Sequence, residues 1–139
     1  MTPDPPARET PSLETFSIQV AQLLADRRCE DVRLLDVRGL SHVCDQILIT
    51  TGTSDRQMRS VADELAKLGK ELGYSCFNSN RDEASTWIII DFVDLVVHLF
   101  EPRLREYYAL EELWHDAPSI PWENAPRSAP GSVGAESEL

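Results

Sequence analysis

Positive charge is scarce in this chain. Its 139 residues hold 13 Lys and Arg against 24 Asp and Glu, a formal net charge of −11. Nucleic-acid affinity rests largely on neutralising phosphates, so an acidic domain with no basic stripe argues against direct DNA binding. Cysteine is sparse and odd in number: Cys29, Cys44 and Cys76 show no C-x-x-C spacing and no neighbouring His cluster. That speaks against a disulfide framework or a zinc site, and predicts small buried thiols in a reducing cytoplasm. The most apolar run, residues 87–100, is 14 long and broken by Asp91 and Asp94, too short for a bilayer. The opening Met-Thr-Pro-Asp-Pro-Pro has no apolar signal core, so export is not expected. A Walker lysine and a G-x-G-x-x-G fingerprint are both missing, as is any internal repeat. No metal or cofactor is expected.

What is present reads as one layered domain. Residues 1–10 hold three prolines and no periodicity, which predicts a disordered lead-in. Leu13, Phe16, Val20, Leu23 and Leu24 repeat at helical spacing, with Thr10 or Ser12 as cap and Pro11 in the first turn. Val32 to Val37 and Gln46 to Thr51 are predicted strands around a turn at Gly39. Ser54-Asp55-Arg56-Gln57 is a capping-box pattern opening a helix with Met58, Val61, Ala62, Leu65, Leu68 and Leu72 on one face, stopped by Gly73. Tyr74 to Asn78 is predicted as a third strand and Ser79 to Thr86 as an exposed loop.

Two apolar β-branched segments, Trp87–Asp91 and Leu95–Phe100, flank a short acidic break and predict a buried hairpin. A last helix opens at Glu101-Pro102 and carries Tyr107, Tyr108, Leu110, Leu113 and Trp114. From Asp116 onward, four prolines predict a flexible tail over 116–139, in which Trp122 stands out as an aromatic. The domain is therefore set at 11–115, an α/β (α+β) fold with a mixed five-stranded sheet flanked by helices.

Three groups of residues carry possible chemistry. Gly52-Thr53-Ser54 lies between a strand and a helix, where free amides can hold a phosphate, but a turn and cap explain it as well. Asp91 and Asp94 stand three apart, so a continuous strand would place them on opposite faces, the wrong geometry for a metal clamp. In a turn, each accepts backbone amides instead. His98 lies among apolar neighbours with no obvious nucleophile, which predicts a hydrogen-bonded sheet residue rather than a general base.

The aromatics point elsewhere. Antiparallel pairing brings Trp87 near Phe100, with Tyr107, Tyr108, Arg103 and Arg105 just downstream; rings with arginine at a sheet edge are typical interface anchors. Core filling explains each ring equally well taken singly. Tyr107 and Tyr108 are adjacent on a helix and cannot both point inward.

Four segments resemble the ribosomal silencing factor (Iojap-like) family: Asp45-Gln46-Ile47-Leu48-Ile49-Thr50-Thr51-Gly52-Thr53-Ser54, Ala84-Ser85-Thr86-Trp87-Ile88-Ile89-Ile90-Asp91, Asp94-Leu95-Val96-Val97-His98, and Tyr107-Tyr108-Ala109-Leu110-Glu111-Glu112-Leu113-Trp114. The likeness covers about residues 12–115. Family members usually have glycine where this chain has Val93, and a β-branched residue resists positive φ.

The resemblance implies a nucleotidyltransferase-like core without catalytic residues. In agreement, Tyr74 to Asn78 lacks the carboxylate pair that two-metal phosphoryl transfer needs. It implies a non-enzymatic repressor that binds the large ribosomal subunit at its fourteenth protein (L-fourteen). There it would block joining of the small subunit when nutrients are scarce. Trp87, Asp94, His98, Phe100, Arg103, Tyr107 and Tyr108 are the expected partner-binding residues. A homodimer of the free protein is implied as well. The rival readings are a large-subunit assembly factor and a residual nucleotide-binding enzyme.

Overall fold

A computed structural model describes residues 10–81 and 86–126. The expected lead-in (1–9), the far tail (127–139) and Ala84 and Ser85 of the family-like motif lie outside the described residues.

Helix α1 (Leu13–Asp26) begins at Ser12, whose Oγ accepts from the Thr15 amide. Pro11 therefore precedes the helix instead of sitting in its first turn, and its carbonyl accepts from the Tyr74 hydroxyl. Strand β1 (Glu30–Asp36) pairs antiparallel with β2 (Gln46–Thr51). Helix α2 (Asp55–Leu72) starts on Ser54, whose Oγ accepts from the Gln57 amide, and stops at Gly73 with φ of 89°. Gln57 reaches back to the Thr53 amide, one residue beyond the usual box partner, and its Nε2 donates to the Arg27 carbonyl. One side chain thus ties the start of α2 to the end of α1.

Strand β3 spans Asn78–Arg81, later than the predicted Tyr74–Asn78. The expected loop 79–86 is thus corrected at its start. A polar edge strand has no buried face to reveal it; backbone pairing with β4 (Trp87–Asp91) holds it. Strand β5 (Leu95–Phe100) returns antiparallel to β4 and lies parallel to β2, giving the order β1-β2-β5-β4-β3 among the described residues. The predicted last helix is two pieces, α3 (Pro102–Tyr108) and α4 (Leu110–Leu113), because Ala109 takes a left-handed conformation with φ of 43°.

The two faces of the sheet differ. One buries Leu34, Leu48, Ile88, Ile90, Val97 and Leu99 under α1 and α2, forming the main core. Phe16 stacks on Tyr74 there at 4.4 Å and meets Phe92 edge-on. On the other face a smaller cluster of Leu35, Val37, Ile47, Ile49 and Phe100 packs under Leu104, Leu110 and Trp114. That cover reaches β1, β2 and one end of β5. Beyond it, Trp87, Ile89, Val96 and His98 remain half-buried.

The segment after α4 departs from the tail expected from 116. Ile120 is buried in the main core with Trp122 packed against it. The Asp36 amide donates to the Pro118 carbonyl and the Ile120 amide to the Leu34 carbonyl, flanking an antiparallel bridge of Leu35 with Ser119. Gln22 Nε2 donates to the carbonyls of Trp122 and Ala125. Proline-rich composition predicts flexibility, but one isoleucine and one tryptophan suffice to seat this stretch on the sheet edge.

At the β4–β5 turn, Asp91 Oδ1 accepts from the Val93 amide at 2.7 Å, the predicted turn role. Val93 itself has φ of 77° and is 53% exposed, so it bears a left-handed backbone and buries little in return. That conformation costs an L-residue about 1–2 kcal/mol, partly offset in a glycine variant by the larger entropy of its unfolded chain. Val93→Gly is expected to raise stability by about 0.5–1 kcal/mol, read as a higher urea midpoint with unchanged slope.

Candidate functional site

The half-covered sheet face is built by strand alternation. Trp87 and Ile89 on β4 and Val96, His98 and Phe100 on β5 all point the same way, opposite to Ile88, Ile90, Val97 and Leu99. Register places Trp87 directly across from Phe100 and Ile89 across from His98. At the Trp87 end the rings pile up: Trp87 lies 4.8 Å from Phe100 and 4.8 Å from Tyr108, and Tyr107 meets Tyr108 edge-on at 5.0 Å. Tyr107 is 78% exposed and Tyr108 48%, so neither tyrosine points inward. Phe100 is fully buried. It supports the Trp87 ring from beneath, which corrects its placement among contact residues.

His98 accepts at Nδ1 from the Trp87 indole Nε1–H, 3.2 Å away. An imidazolium has no lone pair to accept with, so this bond requires the neutral ring. Burial pushes the His98 pKa down to about 4. The folded value lies below the ordinary 6.5, so the stabilisation is complete above that pH and is lost as pH falls through 6.5 toward 4. The slope is at most about 1.4 kcal/mol per pH unit. The melting temperature of the wild-type protein should therefore drop more between pH 6.5 and 4.5 than that of His98→Gln. Equal drops would mean that His98 does not titrate in this range. The carboxylates of Asp36 and Glu64, held low by side-chain bonds from Arg38 and Arg27, begin to add their own loss as pH falls through the ordinary 3.8 and 4.5, and do so alike in wild type and His98→Gln.

The remaining predicted residues separate. Asp94 sits in the β4–β5 turn, six strand residues or roughly 20 Å from the ring cluster. It is exposed, and its carbonyl accepts from the amides of Asp45 and Gln46. Arg103 is exposed at the start of α3. Arg105 is buried: Nη1 donates to the Asp31 carbonyl and Thr51 Oγ1, Nη2 to Asp31 Oδ2, and Nε to Glu111. It is an internal clamp, not an interface arginine. Ile89 and Val96 belong to the open face although the sequence reading did not single them out; the period-two alternation of the hairpin was the signal.

The other candidates resolve locally. At Gly52-Thr53-Ser54 the Gly52 amide donates to the Phe100 carbonyl, the Thr53 amide to Gln57 Oε1, and Ser54 caps α2, so the turn-and-cap reading accounts for them. A Cβ at Gly52 would lie 2.2 Å from Met58 Cγ, which explains glycine there. Cys29 and Cys44 are buried and Cys76 half-buried, with burial raising all three thiols. Among the described residues no group of His, Cys, Asp and Glu is disposed to hold a metal ion, and no helix is long and apolar enough to cross a membrane.

Comparison with known proteins decides the family. The model of the family described as "Ribosomal silencing factor during starvation" matches residues 10–138. The chain belongs to the ribosomal silencing factor family. The silencing factor of Halalkalibacterium halodurans is 39% identical over 98 residues, 70% of this chain and 84% of the relative. That of Bacillus subtilis is 40% identical over 93 residues, covering 67% and 79%. A crystal structure of a Chromobacterium violaceum protein shares the fold with a TM-score of 0.71 at 27% identity, over 87% of this chain and 99% of its own. The α+β architecture with a mixed five-stranded sheet is thus that of a solved relative.

Proposed function

We propose that this protein binds the large ribosomal subunit through its half-open sheet face, with L-fourteen as the protein contacted, and that its bulk keeps the small subunit from joining. The observation that carries the reading is the ridge of Tyr107, Tyr108 and Trp87 running into half-buried Ile89, Val96 and His98. Rings and aliphatics left partly bare beside a polar rim are what a docking partner covers. The net charge of −11 favours encounter with a basic ribosomal protein, chiefly as a gain in association rate. Asp94 and Arg103 would lie at the rim of such a contact, Asp94 at its far end. No bond is made or broken in this mechanism, since excluded volume alone blocks the joining surface. Damped translation during nutrient shortage follows from fewer joined ribosomes.

The test is direct. Purified large subunits are incubated with the protein, small subunits are added, and joined particles are resolved by sedimentation. Joined particles should fall in proportion to protein bound and recover when L-fourteen is altered at the contact. Unchanged joining at saturating protein would overturn the proposal. Pairing of the free protein into a homodimer, also implied by the family resemblance, is read separately by sedimentation equilibrium.

A further inference from the structure

Between the ring cluster and the β4–β5 turn, the middle of the open face is apolar except at His98; Asp91 at the turn end and Asn78 and Asn80 on the β3 edge are its polar margin. The strand neighbours of His98 across the ladders are Ile89 and Ile49, and Val96 is two residues away on the same side. The Trp87 indole occupies Nδ1, so the ring proton resides on Nε2. Among the described residues no hydrogen-bond partner takes up Nε2. The face therefore carries one aromatic N–H donor set among aliphatic side chains.

We infer that His98 is the specificity-determining residue of the docking face, holding the Trp87 ring through Nδ1 while offering its Nε2–H to an uncharged oxygen of the partner, a main-chain carbonyl or a hydroxyl. This rests on the reading of the face as the ribosome-binding surface. Three considerations select the acceptor. The ring is neutral, so it gains no charge-assisted bond from a cationic surface and suffers no repulsion from one. A lysine or arginine of a basic partner has no lone pair to accept with. A covered N–H with no acceptor costs as much as the bond it forgoes, so a partner lacking an oxygen at this point is rejected. The aromatic ridge supplies area without choosing among partners. His98 supplies the choice.

Two substitutions separate the roles. His98→Phe keeps a ring of similar size but removes both nitrogens; large-subunit affinity is expected to fall at least tenfold. His98→Gln retains an acceptor for the indole and a donor for the partner, and should stay within about threefold of wild type. Nitrogen-15 spectra of the free protein should show Nε2 protonated and Nδ1 bare, with the Trp87 indole N–H, assigned through Trp87→Phe, moving in His98→Phe. Melting temperatures confirm that the variants fold. The inference falls if Nδ1 carries the proton, or if His98→Phe binds like wild type while Trp87→Ala does not. If neither substitution affects binding, the docking face itself is wrong.

Discussion

Trp87→Ala is expected to weaken large-subunit binding by about 30-fold or more, the loss of roughly 2 kcal/mol typical of a central aromatic anchor. Position sets the size of this loss. Trp87 is half-buried in the free protein, held by Phe100 behind, Tyr108 beside and His98 through its indole N–H. A ring pre-set in this way loses little entropy when a partner covers its exposed part. Removing it also unseats Tyr108, so part of the loss comes from a disordered ridge. Because Trp87→Ala opens space against Phe100, Tyr107→Ala serves as the companion variant. Tyr107 is 78% exposed, and its ring contact is with Tyr108, so its loss should spare stability while lowering affinity several-fold. Wild-type affinity in both variants would remove this surface from consideration.

The second large effect is on stability. Arg105→Met should cost about 3 kcal/mol, or on the order of 10 °C in melting temperature. The Arg105 guanidinium bonds the carbonyl and carboxylate of Asp31, the hydroxyl of Thr51 and the carboxylate of Glu111, joining α3, β1, β2 and α4. Methionine fills much of the volume but leaves the Glu111 carboxylate and the Asp31 carbonyl without the guanidinium, while the Asp31 carboxylate keeps only Arg33, whose Nε donates to Oδ1 at 3.2 Å. The Asp31 side chain is 54% exposed and can turn to water, which keeps the estimate at the lower end of the range for a broken buried pair. Arg105→Lys should recover little, since one ammonium cannot reproduce a planar fork of donors. A melting temperature within 2 °C of wild type would show the clamp to be dispensable. Since α3 carries both tyrosines of the ridge, Arg105→Met should also lower ribosome affinity.

How far the sequence could be read depended on whether burial or pairing makes each element. The hairpin and α2 were legible because apolar periodicity, a capping serine and Gly73 coincide in them. Strand β3 was misplaced because Asn78-Ser79-Asn80-Arg81 has no apolar alternation; it is a strand through its ladder with β4. Ala109 gives no warning that it will break the last helix, since alanine favours helix everywhere but here takes φ of 43°. The ring cluster was foreseen from antiparallel pairing of Trp87 with Phe100. Its limits were not: Phe100 proved internal, Asp94 distant and Arg105 buried, because sequence spacing does not say which end of a hairpin a third element covers. Val93 was the most informative single departure. The glycine expected there marks a left-handed turn, and the turn keeps that shape with valine in it.

Strand β1 ends the sheet, and residues 118–120 lie along it like a selvedge that stops a cloth from fraying. A shortened protein ending after Trp114 would bare the main-chain N–H of Asp36 and carbonyl of Leu34 together with the hollow left by Ile120. Such a margin recruits any extended chain nearby. Work on a minimal version of this domain should keep the residues through Ala125, where the Gln22 amide makes its last grip.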